Sequence, residues 1–219
     1  MPAADTALPC PLYPIVNLRS ADDDETQRCL ELAVALAAEG VGLLQLRAKS
    51  VGAGAFTELA TALTPRLREH DCRLIVNDRV DVAAAAGAAG VHLGDEDLGV
   101  ASARRILGEN AILGYSTHSV ADVHAAAKLP ADYLGFGPVY DSPTKAGVRT
   151  PRGLETLEAA CAAATVPVVA IGGITAGNAA DVWAAGAASV AVIRDLESAD
   201  APRAHARGYL ELARRQGRG

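Results

Sequence analysis

Short apolar runs alternate with longer alanine-rich stretches from one end of this chain to the other. The runs predict strands at 13–16, 42–46, 73–76, 90–93, 111–114, 133–136, 167–171 and 189–193. The stretches between them predict helices at 23–39, 53–70, 80–86, 100–107, 120–128, 154–164 and 176–185, with a last one near 202–215. Runs such as Val166-Pro167-Val168-Val169-Ala170-Ile171 are apolar at successive positions, which indicates strands buried on both faces. Strands of that kind belong in a parallel sheet covered by helices. Eight strand and helix units in 219 residues predict a (β/α)8 barrel of the α/β class near its compact limit. The main rival, an open doubly wound sheet, lacks a G-x-G-x-x-G after the first strand. A single catalytic domain is expected over 12–216, between a flexible tail at 1–11 and a short tail at 217–219. Asp22, Asp23 and Asp24 stand where the first helix begins and read as its cap and first-turn charges.

Composition narrows the chemistry. A chain that is 50% hydrophobic can bury one substantial core. A net charge of −6 gives no broad basic field for a nucleic acid or a membrane surface, so any anion must be held locally. Lys49, Lys128 and Lys145 are the only lysines. Cys10, Cys29, Cys72 and Cys161 form no C-x-x-C pair or zinc pattern and read as small apolar fillers in a reducing cytoplasm. The first dozen residues lack the features of a secretory signal, and no run reaches the roughly 18 apolar residues of a membrane span.

Every unusual polar cluster follows a predicted strand, where a barrel of this type assembles its site. Gln45, Arg47 and Lys49 close the second strand at alternate positions, so they share one face. An amide, a planar fork of donors and a mobile cation on one face suit a multiply charged anion such as phosphate. Asn77-Asp78-Arg79 follows the third strand and Gly94-Asp95-Glu96-Asp97 the fourth. Asp78 and Asp97 come from neighbouring strand ends and are expected to share a magnesium ion, which takes one or two carboxylates and fills its shell with water and phosphate oxygens. The alternative for each is a helix cap. Asp95 and Glu96 read as solvated charges.

Ile171-Gly172-Gly173-Ile174 leads toward a helix predicted near Thr175-Ala176, and free amides there suit a second phosphate. The segment from Pro138 to Arg152 carries Ser142, Thr144 and Lys145 and reads as a binding loop. His118 is expected either as an acid or base or as a plain helix-start histidine. His92, inside a strand, reads as packing or orienting a neighbour, and Trp183 reads as packing.

Taken together, Gln45-x-Arg47-x-Lys49, Asn77-Asp78-Arg79-x-Asp81, Gly90-Val91-His92-Leu93-Gly94-x-Glu96-Asp97, Gly114-x-Ser116-x-His118, Gly135-x-Gly137-Pro138-Val139 with Thr144-Lys145, and Ala170-Ile171-Gly172-Gly173-Ile174 resemble the thiamine-phosphate synthases, in family order from about residue 13 to 196. The resemblance implies a (β/α)8 barrel that joins 4-amino-2-methyl-5-(diphosphomethyl)pyrimidine to 4-methyl-5-(2-phosphoethyl)thiazole, forming thiamine phosphate and releasing pyrophosphate. It implies that Arg47, Lys49, Asn77 and Lys145 hold the diphosphate and that Asp78 and Asp97 hold magnesium. Gln45 and Ser116 would lie near the pyrimidine, with His118 beside the substrates. Ser142, Thr144, Gly173, Ile193 and Arg194 would receive the thiazole phosphate. Arg47, Lys49, Ser116 and Lys145 would act in the chemistry itself.

Three positions depart from the family pattern: Asp95 where glutamine is frequent, Ser142 where threonine is usual, and Arg194 where a serine is common. Arg194 would either clamp the thiazole phosphate or fill its pocket. Two other readings accompany the synthase: a thiazole tautomerase of the same fold with His118 as the acid and base, and a non-catalytic protein that binds thiamine precursors. The partners expected are small-molecule substrates, with room for a homo-oligomer.

Overall fold

In the computed structural model, which describes residues 10–141 and 150–218, the strands pair in sequence order and close on themselves. They are β1 (Leu12–Asn17), β2 (Leu43–Arg47), β3 (Arg73–Asn77), β4 (Gly90–Leu93), β5 (Ile112–Thr117), β6 (Tyr133–Phe136), β7 (Val168–Ile171) and β8 (Ser189–Val192). All pairs are parallel, and β1 returns to β8 through Leu12–Val190, Tyr13–Ala191 and Pro14–Val192. Helices α1 (Asp23–Ala37), α2 (Ala53–Arg68), α3 (Val80–Ala85), α4 (Val100–Leu107), α5 (Val120–Ala126), α6 (Gly153–Ala163), α7 (Ala179–Ala184), α8 (Arg194–Glu197) and α9 (Pro202–Arg215) follow or flank the strands. This is the predicted (β/α)8 barrel. Asp22 caps α1 as expected, accepting from the Glu25 amide at 2.8 Å. No helix among the described residues is long and apolar enough to cross a membrane.

Two apolar layers follow from the alternation of side chains along each strand. Leu44 and Leu46 of β2 join the large layer under the helices, whereas Leu43 joins Tyr13, Ile15, Ile75, Tyr133, Val169 and Ala191 inside the barrel. Gln45 and Arg47 share the parity of Leu43, so they too face inward. The same parity puts Asn17, Asn77, His92 and Ser116 on the inner face at or near the carboxyl ends of their strands. Trp183 of α7 is fully buried, and its indole donates to the Pro11 carbonyl at 3.2 Å. Cys10, Cys29 and Cys72 are buried free thiols.

Three differences from expectation bear on the site. β5 runs to Thr117 rather than Gly114, because Ser116 and Thr117 continue the ladder against Gly135 and Phe136 of β6. Ser116 is therefore an inward strand residue and not a loop residue. α7 begins at Ala179 rather than near Ala176, because Asn178 holds a turn in front of it: its side chain accepts from the Thr175 amide at 2.8 Å and donates to the Gly173 carbonyl at 3.0 Å. The four-residue α8 was absent from the prediction, being too short to show a 3.6-residue period.

One consequence for stability follows from α9. Gly208 is exposed in the middle of that helix, without positive φ, and a Cβ there would meet nothing within 4 Å. Gly208→Ala is expected to stabilise the protein by about 0.5–1 kcal/mol, through helix propensity and a less flexible unfolded chain. Chemical denaturation of the two proteins side by side measures it, and a loss of stability would contradict this packing.

Candidate active site

Four strand ends build the charged part of the rim. Arg47 ends β2 and is half-buried; its Nη1 donates to Asn17 Oδ1 at 2.9 Å, which fixes the guanidinium against the end of β1. Burial draws the Arg47 pKa down from its ordinary value, opposed by the carboxylates of Asp78 and Glu197. Glu197 of α8 accepts from the Asn17 amide at 3.0 Å and pairs with Arg19. Lys49 pairs with Asp78, which follows β3. Asp78 holds a left-handed φ of 63°, a conformation aspartate tolerates better than most residues, and its amide donates to the His92 carbonyl at 2.8 Å.

Asp97, after β4, accepts from the Gly94 amide at 2.7 Å. Burial, and then the facing Asp78 carboxylate, hold the Asp97 carboxyl above the ordinary aspartate range, against the Gly94 amide and Lys49. Facing carboxylates of this kind are a donor set for a hard divalent cation. Among the described residues no third histidine, cysteine or carboxylate joins them in a metal-binding group. Two carboxylates nevertheless fit magnesium, which fills the rest of its shell with water and phosphate oxygens. Beside them Asn77 is only 7% exposed, and its Nδ2 has no hydrogen-bond partner among the described residues. A buried donor left alone costs about 1–3 kcal/mol, so this amide suits an incoming acceptor.

Below the charged rim lies a polar seam inside the barrel. Gln45 Nε2 donates to the Tyr13 hydroxyl at 3.1 Å, and the Tyr13 and Tyr133 hydroxyls lie 2.8 Å apart. Tyr133 reaches His92 Nδ1 at 3.0 Å, and His92 Nε2 reaches Ser116 Oγ at 2.9 Å. Burial pushes the His92 imidazole down to about 4, partly opposed by Asp78, so the ring is neutral at physiological pH. Gly114 makes this seam possible, since a Cβ there would lie 2.2 Å from Tyr133 Cζ and 2.4 Å from His92 Nδ1.

Across the rim, Gly173 has a φ of 63°, and a Cβ there would stand 2.4 Å from the Asp141 carbonyl oxygen. Only glycine allows the chain after β6 to lie this close. The amides of Thr175 and Ala176, expected to be open to an anion, instead donate to Asn178 and, at 3.2 Å, to Asp195. Ile193 precedes α8 and accepts from Leu196 and Glu197. Arg194 is exposed at the start of α8 and makes no side-chain hydrogen bond among the described residues. His118 sits just before the Ser119 cap of α5, and its Nδ1–H donates to the Gly137 carbonyl at 2.7 Å. Ser142, Thr144 and Lys145 lie outside the described residues.

The structure thus brings Arg47, Lys49, Asp78 and Asp97 into one charged cluster and joins Gln45 to Ser116 below it. Sequence reasoning missed Asn17, Glu197, Tyr13 and Tyr133. Tyr13 and Tyr133 carried a signal: each is a polar-headed aromatic at an inward position of an otherwise apolar strand. Glu197 carried none, because a surface glutamate and a buried one look alike in a short helix.

The family model described as thiamine monophosphate synthase matches residues 12–196. A thiamine-phosphate synthase from Albidiferax ferrireducens is 46% identical over 176 residues, covering 80% of each chain. A thiamine biosynthesis bifunctional protein ThiM/ThiE from Symbiobacterium thermophilum is 47% identical over 80% of this chain, which spans only 37% of that longer protein. Among solved structures, a thiamine phosphate pyrophosphorylase from Pyrococcus furiosus superposes with a TM-score of 0.81 at 31% identity, over 94% of this chain and 96% of that one. With a match that runs from the first strand through α8, and with a rim whose charges stand where that match falls, the chain belongs to the thiamine monophosphate synthase family.

Proposed function

We propose that the rim around Arg47, Lys49, Asp78 and Asp97 is where this chain carries out its family's reaction: it couples a pyrimidine to a thiazole and makes thiamine phosphate. The pyrimidine enters as its methyl diphosphate, the thiazole as its phosphate, and pyrophosphate leaves. One observation carries the reading. In a protein of net charge −6, a fixed arginine, a lysine and two facing carboxylates converge at one strand-end rim.

The chain's own groups then divide the work. Arg47, held by Asn17, and Lys49, released from Asp78, donate to diphosphate oxygens, joined by Asn77 and by Lys145. As the methylene carbon–oxygen bond breaks, its electron pair leaves with pyrophosphate, and these donors hold that growing charge more tightly than the intact ester. Asp78 and Asp97 would hold magnesium, which when bound offsets the charge of the departing diphosphate. The aminopyrimidine carries the resulting methylene cation, with Gln45 and Ser116 against the ring and His118 near by. The thiazole nitrogen supplies the electron pair of the new carbon–nitrogen bond. Holding it in place by its phosphate, at Gly173, Ile193, Arg194, Ser142 and Thr144, is positioning that can supply several kcal/mol of the barrier. No covalent nucleophile is required. The matched family and relatives do not favour the tautomerase or the non-catalytic binding protein. A cytoplasmic setting accords with the four free cysteines.

Pyrophosphate release is expected only when both substrates are present, is expected to stop in chelator, and is expected to return with added magnesium. Unchanged turnover in excess chelator would remove the metal from the mechanism.

A further inference from the structure

Five side chains from β1, β2, β4, β5 and β6 form one unbroken hydrogen-bond chain through the barrel, Gln45–Tyr13–Tyr133–His92–Ser116. Both ends are substrate positions in the proposed function, on which this inference rests. We infer that Tyr13, Tyr133 and His92 are positioning residues that polarise this chain from Gln45 toward Ser116, so that Gln45 presents an acceptor and Ser116 a donor to an aminopyrimidine ring.

The polarity follows from counting protons. Gln45 Nε2–H donates to the Tyr13 oxygen, and leaving no buried proton unpaired then sends the single Tyr13 proton to Tyr133. The single Tyr133 proton then goes to His92 Nδ1, and an imidazole whose Nδ1 accepts carries its one proton on Nε2, aimed at Ser116 Oγ. Two groups are left over: Gln45 Oε1 as an acceptor and the Ser116 hydroxyl proton as a donor. Neither has a further side-chain partner among the described residues. A 4-aminopyrimidine offers an amino N–H beside a ring nitrogen lone pair, which is the complement of that pattern.

The chain has one other sense that leaves no tyrosine proton unpaired. With the Gln45 amide turned and the proton on His92 Nδ1, Gln45 would present a donor and Ser116 an acceptor. That arrangement complements a 4-oxopyrimidine, whose carbonyl lies beside a ring N–H. The direction of the seam therefore selects between amino and oxo rings, and it does so through residues that do not touch the substrate. Leaving buried polar groups unpaired is the strongest device a site has for rejecting an analogue of the same shape. Burial holds both tyrosine phenols above their ordinary pKa, so each keeps the proton that the relay needs.

The test has a ligand-free arm and a kinetic arm. Nitrogen-15 NMR of the wild-type protein is expected to show His92 as the Nε2–H tautomer, and the Nδ1–H tautomer would overturn the inference. Tyr133→Phe keeps the ring and breaks the relay at its centre. Assayed with the 4-amino diphosphate and its 4-oxo analogue, it is expected to raise KM for the amino substrate at least tenfold and to cut the amino-over-oxo preference at least tenfold. KM for the thiazole phosphate is expected to stay within twofold, which a general loss of structure would not permit. Wild-type KM and preference in Tyr133→Phe would overturn the positioning role. An Nε2–H tautomer in a protein that shows no turnover would support the polarity and remove only the functional reading.

Discussion

Asp78→Ala is expected to lower kcat/KM for thiamine phosphate formation by about a thousandfold, equivalent to roughly 4 kcal/mol of transition-state stabilisation. The size reflects how many interactions meet on one carboxylate. Asp78 pairs with Lys49, faces Asp97 and adds to the field on Arg47. Its removal takes one of two expected metal ligands and frees Lys49 to adopt other positions. Asp78 also holds a left-handed φ of 63°, where alanine is strained. Asp78→Asn separates the two effects, because asparagine tolerates that conformation and keeps the shape. Asp78→Asn is expected to lose activity on the scale of the alanine variant while its Tm stays within a few degrees of wild type. Asp95→Ala, at an exposed position two residues before Asp97, is expected to change activity less than about threefold. Steady-state pyrophosphate release in saturating magnesium, with thermal melts of each variant, makes the comparison. Similar losses at Asp78 and Asp95 would mean that the rim has been assigned to the wrong groups.

Gly90→Ala carries the largest expected stability effect. A Cβ on Gly90 would lie 1.8 Å from the Ile112 carbonyl oxygen and 2.6 Å from its carbonyl carbon. Gly90 pairs with both Ile75 and Ile112 in the ladder, so the obstructing atoms are backbone of the neighbouring strand and have no rotamer to change. Relief requires β4 to separate from β5, in the part of the barrel that carries His92 and leads to Asp97. A cost above about 3 kcal/mol is expected, beyond ordinary overpacking, because a closed sheet has no free edge along which to move. For a chain of this length each kcal/mol shifts Tm by roughly 2–4 °C. Gly54→Ala, in α2, is the contrast, since a Cβ there meets nothing within 4 Å. Urea denaturation of both variants tests it, and a loss below 1 kcal/mol for Gly90→Ala would show that β4 packs differently.

Much of this was legible before any coordinates. The alternation of apolar runs and alanine-rich segments predicted the barrel, because strands buried on both faces read as continuous apolar stretches. The spacing of Gln45, Arg47 and Lys49 predicted one shared face; Gln45 and Arg47 have the parity of the inward Leu43, whereas Lys49 lies beyond the end of β2. The start of α7 was misread because alanines at 176, 179 and 180 favour helix locally, whereas the Asn178 side chain captures the Thr175 amide and delays it. The end of β5 was misread because Tyr115-Ser116-Thr117-His118 is polar, and only its pairing with β6 makes it strand. Ser142, Thr144 and Lys145 rest on the sequence alone.

By itself the sequence determined the fold class, the order of the strands and which polar residues stand at strand ends, since these depend on local periodicity and on chain order. Only the tertiary structure decided which of those residues meet. Tyr13 and Tyr133 are 120 positions apart, and Asn17 and Glu197 are 180 apart. No local pattern encodes such pairings, because barrel closure and strand register bring them within hydrogen-bond distance only after all eight strands are in place.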